Sequence, residues 1–266
     1  MNLDVEEIEQ IKATGNVEYI KEYIKNRKWS LSEENERFTL IIATGDVEFF
    51  KECINDKDMN IDREYIIDLI LATKDVEYIK ACIKDERLEL TIYEKGLLIT
   101  ATGDKTYIKA CIKDKSLGFN SDLKRQLIEA LGEINDITSC LEDATIELDD
   151  EDKIKLINGV GDETYIKACI KNRKINFNSL EREKLLISTN DIDFIKECVI
   201  DGTIKVSEYQ KELILKSNNL GYIDSQIRIG VAITSSFIDL DDVSELTIEQ
   251  LKNIDEEYIM ICSTRF

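Results

Sequence analysis

The sequence contains no histidine, no proline and only one tryptophan among its 266 residues. Without histidine, there is no Ser-His or Cys-His nucleophile pair and no histidine ligand for a metal ion. Without proline, helices can run uninterrupted and Pro-rich linkers are excluded. No apolar run approaches the roughly 20 residues that span a bilayer, and the acidic start MNLDVEEIEQ is unlike a signal peptide. We therefore expect a cytoplasmic protein that does not enter membranes.

Basic residues are scarce relative to acidic ones. The chain has 35 Lys and Arg against 55 Asp and Glu, which gives a formal net charge of −20. Nucleic acids and anionic membranes repel such a chain, so neither is expected as a direct partner. The acidity suits a partner protein with a basic surface, cations, or mimicry of nucleic acid. A requirement for solubility alone would explain it equally well.

One short unit recurs along almost the whole chain. Residues 103–114, GDKTYIKACIKD, return as GDETYIKACIKN at 161–172 and as KDVEYIKACIKD at 74–85. All cysteines occupy one position of the unit, and the first six follow at intervals of 29 residues: Cys53, Cys82, Cys111, Cys140, Cys169, Cys198 and Cys262. The longer gap from Gln226, which holds this position in the eighth copy, to Cys262 indicates an insertion near residues 230–245. A fixed period of this size is typical of a solenoid.

Each unit predicts two short helices, called helix A and helix B here. Helix B begins at an aspartate such as Asp104, a residue type that caps helix N-termini. Ile108, Cys111 and Ile112 then form an apolar stripe at helical spacing. The connector that follows, at 114–120, has apolar residues two apart, which predicts an extended segment with one buried side.

The end of helix A also has a repeated pattern. A small residue is expected to let the two helices approach closely, and it recurs as Ala13, Ala43, Ala72, Ala101, Ala130, Gly159 and Ser188. A residue type that tolerates the left-handed conformation comes two places later, as Gly15, Gly45, Gly103, Gly132, Gly161 and Asn190. Each unit is therefore predicted to be a tight helical hairpin.

Together these patterns predict an all-α fold, an α-solenoid of about nine two-helix repeats of about 29 residues. We assign residues 1–230 to repeats 1–8. Residues 231–266 hold the insertion and a C-terminal capping repeat, within one continuous solenoid domain.

The stretch LITATGDKTYIKACIKDKSLGFNSD, at 98–122, resembles the second half of an ankyrin repeat. A helix that ends in an Ala-rich segment, a Gly-Asp turn and a second helix with an Ile-Lys core are shared features. The Thr-Pro-Leu-His signature is absent, and the period is 29 residues rather than about 33, which leaves little room for the long β-hairpin. The resemblance implies an ankyrin-like, non-catalytic binding scaffold.

The cysteines and the lysines near them are the first candidates for chemistry. Each cysteine lies on its own apolar stripe, too far from the next for a disulfide or a shared zinc ion, so we interpret the cysteines as core. No catalytic residue, metal site or cofactor is expected. Lysines lie two residues before most of these cysteines, and we call them the lysine ladder. Three of them form a secondary candidate surface: Lys80, Lys109 and Lys167. The alternative is a solvated face, on which the ladder lysines pair with Glu18, Glu48 and Glu77 three residues before them.

The fifth copy of the unit departs from the others. Thr138 replaces the ladder lysine, and an acidic segment, EDATIELDDED, follows. We predict that a basic partner binds here, through Asp136, Glu142, Asp143, Glu147, Asp149, Asp150, Glu151 and Asp152. The alternative is a drifted repeat with a solvated loop. A second acidic stretch lies at 239–257.

These observations favour a non-enzymatic scaffold that binds another protein through the solenoid surface. An alternative is an acidic inhibitor, encoded by a phage or pathogen, that blocks a basic or nucleic-acid-binding surface of its target. A remote alternative is an enzyme whose site uses only Asp, Glu, Lys, Tyr or Cys. The sequence contains no phosphate-binding loop, no Gly-x-Ser-x-Gly and no HExxH motif.

Overall fold

The computed structural model describes residues 5–30, 33–56, 59 and 61–236. Over these residues the chain is all-α and has no β-strand, which confirms the all-α part of the predicted fold. Each helix packs mainly on its neighbours in sequence, as in helical repeat proteins. Cys262, the second acidic stretch and most of the predicted capping repeat lie outside the described residues. Within them, no helix has the length and apolar character needed to cross a bilayer.

The helices form two compact units that divide between Leu123 and Lys124. The helices of the first unit are α1 (Val5–Ala13), α2 (Val17–Asn26), α3 (Glu34–Thr44), α4 (Val47–Asn55), α5 (Arg63–Thr73), α6 (Val76–Lys84), α7 (Ile92–Ala101) and α8 (Lys105–Lys113). Odd-numbered helices are helices A of the repeat, and even-numbered helices are helices B. Successive helices A pack on each other, and both α4 and α6 pack on the helices A before and after them.

In the second unit the same alternation continues. Helix α9 (Ser121–Glu129) crosses the division, and it is followed by α10 (Ile134–Glu142), α11 (Asp150–Val160), α12 (Glu163–Lys171), α13 (Ser179–Ser188), α14 (Ile192–Ile200), α15 (Glu208–Lys216) and α16 (Leu220–Ser236). Helix α12 packs on both α11 and α13, and α16 packs on α13 and α15. The described part of the predicted insertion therefore continues helix α16.

The start of helix B is set by a side-chain cap, as predicted. In α8 the carboxylate of Asp104 accepts the backbone N–H of Tyr107 at 3.0 Å. The same cap begins other helices B, at Asn16, Asp46, Asp75, Asp162, Asp191 and Asn219. In α10 the residue at this place is Glu133, whose side chain does not cap the helix.

A buried threonine supports this turn in three copies, which the sequence pattern did not reveal. The Thr102 hydroxyl donates to the Ile99 carbonyl at 2.6 Å and accepts the backbone N–H of Asp104 at 3.2 Å. Thr44 and Thr73 make the same two hydrogen bonds in their copies. The side chain thus satisfies a carbonyl at the end of helix A and an N–H before helix B.

Two expectations about local structure are wrong. The connector is not extended, because the Asp114 carboxylate accepts the N–H of Ser116 at 2.9 Å and folds Lys115–Leu117 into a 3₁₀ turn. Its buried side is confirmed, since Phe119 is 7% exposed. The small residue at the end of helix A is not needed for close packing. Ala101 is exposed, and a methyl group added at Gly159 would meet nothing within 4 Å.

The left-handed turn after helix A is confirmed, and one copy makes it with an unfavourable residue. Gly45 and Gly161 have φ of 61° and 71°, and Lys74 has φ of 53° at the equivalent place. A side chain costs free energy in this conformation, whereas glycine adopts it freely.

We expect Lys74→Gly to raise the free energy of unfolding by about 1 kcal/mol, because it relieves the left-handed strain. Urea denaturation would measure the change. Lys95→Gly, within α7, is the matched control and should lower the free energy of unfolding by about 1 kcal/mol. A loss of stability in Lys74→Gly as well would contradict the prediction.

Candidate partner-binding surface

The ladder lysines join successive helices B. The Lys80 ammonium lies 2.9 Å from Glu77 in its own helix and 2.9 Å from Asp104, the N-cap of the next helix B. It also lies 5.1 Å from the centre of the Tyr107 ring. The same bridge recurs at three other interfaces, as Lys21 to Asp46, Lys51 to Asp75 and Lys167 to Asp191. The proposed secondary surface thus contains lysines that hold repeats together.

The bridge changes the acidity of both partners. The Lys80 ammonium, with the Tyr107 N–H, holds the pKa of Asp104 below its ordinary value. The hydrogen bonds to Asp104 and Glu77 raise the pKa of Lys80. Lys109, the ladder lysine of the fourth copy, also interacts with neighbouring groups. Lys80 is therefore charged at neutral pH and bound to carboxylates of two repeats.

The cysteines are core residues, as predicted. All six described cysteines are buried, and none forms a disulfide. Burial raises the pKa of Cys111, and it raises the pKa of Cys53 to about 12 and that of Cys198 to about 11. These thiols stay protonated at neutral pH despite the nearby lysines. No three cysteine or acidic side chains of the described chain are arranged to hold a metal ion.

Several carboxylates of the fifth-copy acidic segment have structural roles. Asp143 accepts the N–H and the hydroxyl of Thr145 at 2.9 and 2.7 Å, and it makes the same turn as Asp114 in the previous copy. Asp149 caps α11 by accepting the N–H of Asp152 at 2.9 Å. Both residues therefore shape the backbone of the segment.

Other members of the segment form ion pairs. Asp152 is only 4% exposed and lies 3.1 Å from the Arg125 guanidinium. Asp150 lies 2.7 Å from Lys153, and Glu151 lies 2.8 Å from Lys155. Asp152 is thus part of the core and not of the surface.

The remaining predicted residues are Asp136, Glu142 and Glu147. Glu142 accepts a hydrogen bond from Asn172 at 2.7 Å, which lowers the Glu142 pKa. Asp136 is half-buried in the first turn of α10, and Glu147 is exposed in the loop before α11. Glu147, Asp149 and Glu151 are the exposed members, and we call these three the acidic edge.

The lysine ladder is interrupted between α10 and α12, and we call this place the ladder gap. Thr138 stands where the lysine is expected, and its hydroxyl donates to the Ile134 carbonyl at 2.8 Å and lies 3.2 Å from the Tyr165 hydroxyl. The expected acceptor, Asp162, is present and exposed, whereas Asp104 is half-buried under Lys80. Among the described residues, no lysine or arginine pairs with Asp162.

An apolar groove lies beside the ladder gap, between α10 and α11. Its volume is about 400 Å³, and it is lined by Ile134, Ile137, Leu156, Gly159 and Val160 and also by Glu129. Val160 takes the place of the buried threonine found as Thr44, Thr73 and Thr102 before other helices B. Thr138 is visible in the sequence as a departure from the repeat. The sequence could not show that Asp162 is the aspartate that lacks a lysine as a result, or that an apolar groove lies between α10 and α11.

These features define an all-helical, repeat-like protein whose charged side chains connect successive units. Comparisons of the chain with protein-family models, with curated proteins and with solved structures find no match. The resemblance to ankyrin repeats therefore stays an expectation from the sequence.

We expect Lys80→Met to raise the pKa of Asp104 toward the ordinary aspartate value, which NMR titration of its side-chain carboxyl carbon would measure. The wild-type pKa is lowered in the folded state, so the bridge stabilises the fold at neutral pH and loses its effect as pH falls through that lowered pKa. The stability difference between the two proteins should therefore shrink below about pH 4. Lys95→Met should leave the Asp104 pKa unchanged; a similar rise in both variants would contradict the bridge.

We expect Asp152→Asn to lower the free energy of unfolding by roughly 1–3 kcal/mol, because it removes the buried negative charge that pairs with Arg125, which then keeps its ion pair with Glu129. Glu151→Gln, which removes an exposed carboxylate one residue away, should change it by less than about 0.5 kcal/mol. Urea denaturation of both variants would measure the difference. Equal effects would mean that the Asp152 carboxylate has no structural role.

Proposed function

We propose that this chain is an α-solenoid of about nine two-helix repeats, similar to ankyrin repeat proteins, and a non-enzymatic scaffold for protein interaction. Its partner is a protein with a basic surface. The acidic edge is the part of the predicted site that the partner contacts, since its three carboxylates are the exposed ones of that set.

One observation carries this proposal: the ladder lysines are largely covered, while their glutamate partners are not. The side chains of Lys21, Lys51 and Lys80 are 19%, 22% and 20% exposed. Glu18, Glu48 and Glu77, which pair with them, are 80%, 79% and 83% exposed. The surface is therefore more acidic than the net charge alone indicates, which favours a basic protein over an anionic partner.

A test compares capture of proteins by the wild type and by a variant of the acidic edge, Glu147→Gln, Asp149→Asn, Glu151→Gln. Asparagine at 149 keeps a capping side chain, so α11 should still form. We expect the wild type to retain a basic protein from the source lysate, with less retention as salt rises. We expect the variant to retain it several-fold less.

The matched control neutralises three exposed acids elsewhere: Glu64→Gln, Asp68→Asn, Glu86→Gln. It makes the same change in net charge and should bind like the wild type. Equal binding by both variants would mean that the partner binds somewhere other than the acidic edge. If the wild type captures no protein, the scaffold function is contradicted. If the captured protein binds nucleic acid and the chain displaces that nucleic acid, the scaffold acts as an acidic inhibitor.

A further inference from the structure

We propose that the ladder gap is a docking site for a lysine of the partner protein, with an apolar side chain of the same segment in the α10–α11 groove. The incoming lysine pairs with Asp162, as the chain's own lysines pair with the equivalent aspartates. This inference rests on the proposed function, because the occupant is a partner protein.

The intact interfaces show how the lysine is bound. In Asp104 one carboxylate oxygen accepts the Tyr107 N–H and the other receives the Lys80 ammonium. Asp75 divides its oxygens in the same way between Tyr78 and Lys51. The aspartate is therefore oriented for a cation by the helix that it caps.

Asp162 keeps the first half of this arrangement. Its Oδ1 atom accepts the N–H groups of Thr164 and Tyr165 at 2.8 and 3.3 Å. Its Oδ2 atom corresponds to the atom that accepts the lysine in the other copies. The Thr138 side chain carries no positive charge to pair with it. Tyr165 is only 9% exposed, so an incoming ammonium meets the carboxylate rather than the ring.

The neighbouring carboxylates do not compete for the cation. Glu163 lies 2.6 Å from Lys167, and Glu129 lies 2.6 Å from Arg125. Asp162 therefore supplies the charge complementarity of this site, and it favours a basic group over a neutral one.

The groove supplies the apolar part of the site. Ile134 is 43% exposed, and the open space above Gly159 accepts a methyl group without a contact within 4 Å. An exposed ion pair alone contributes little to affinity. Burial of an apolar anchor in the groove supplies the affinity, and the lysine fixes the orientation of the segment.

The first test uses substitutions that block the two parts of the site, the Asp162 carboxylate and the apolar groove. Thr138→Lys restores the ladder lysine found in the other copies, so it should fold and occupy Asp162. Ser139→Lys adds the same charge at an exposed neighbour and is its control. Gly159→Leu fills the groove, and Ala101→Leu makes the same kind of change at the equivalent exposed position of an earlier copy.

The probes are n-pentylammonium, which mimics a lysine side chain, and neutral 1-pentanol, followed by amide NMR shifts. We expect pentylammonium to shift the Thr138, Asp162 and Tyr165 signals saturably. Binding should weaken at least about fivefold in Thr138→Lys and in Asp162→Asn, and remain near the wild-type level in Ser139→Lys. Equal binding to Thr138→Lys and Ser139→Lys, or equal binding of pentanol, would overturn the proposal.

The second test uses the same proteins to capture partners. A partner kept by the wild type, Ser139→Lys and Ala101→Leu but lost by Thr138→Lys and Gly159→Leu would support docking at the ladder gap. A partner kept by all five would overturn it and leave the scaffold function intact. If no protein captures a partner, the proposed function fails, whereas pentylammonium binding that Thr138→Lys abolishes would still support the lysine site.

Discussion

Each bridged helix B starts at a carboxylate that has two tasks. One oxygen of Asp104 accepts the N–H that begins α8, and the other holds Lys80 from the preceding helix B. Helix initiation and the packing of successive repeats therefore depend on one group. The lysine and the aspartate are 24 residues apart in this bridge, and also in those of Lys51 and Lys167. The bridge from Lys21 to Asp46 spans one residue more, so the constant period favours the bridge but the bridge does not require it.

This bridge also explains how so acidic a chain holds its repeats close together. A net charge of −20 opposes a compact state through self-repulsion. The repeat places its lysines between carboxylates of two units, where each ammonium offsets repulsion at an interface. The exposed glutamates of the same helices, such as Glu48 and Glu77, remain at the surface. The basic residues thus hold the repeats together, and the acidic residues determine the character of the outer face.

The repeat pattern predicts features that depend on a single repeat, but it does not predict contacts between repeats. The N-cap, the left-handed turn and the buried stripe follow from residue types at fixed positions. The contact of Lys80 with Asp104 joins two successive repeats, and periodicity does not show how far apart the two side chains lie. The sequence predicts that Asp152 contacts a partner, although its equivalent in the previous copy is the buried Leu123. Glu183 is also buried, which raises its pKa to about 7.

Several departures from the repeat lie at one interface, and each has a physical cost there. Thr138 removes an inter-unit ion pair, Val160 removes the hydroxyl that supports the turn, and Gly159 weakens the end of α11. We expect an interface that lacks these contacts to open more easily than its neighbours. A segment that brings a lysine and an apolar side chain supplies a cation to Asp162 and covers the groove. The proposed binding there would restore contacts that the other interfaces make within the chain, so the ladder gap would gain more from a partner than an intact interface would.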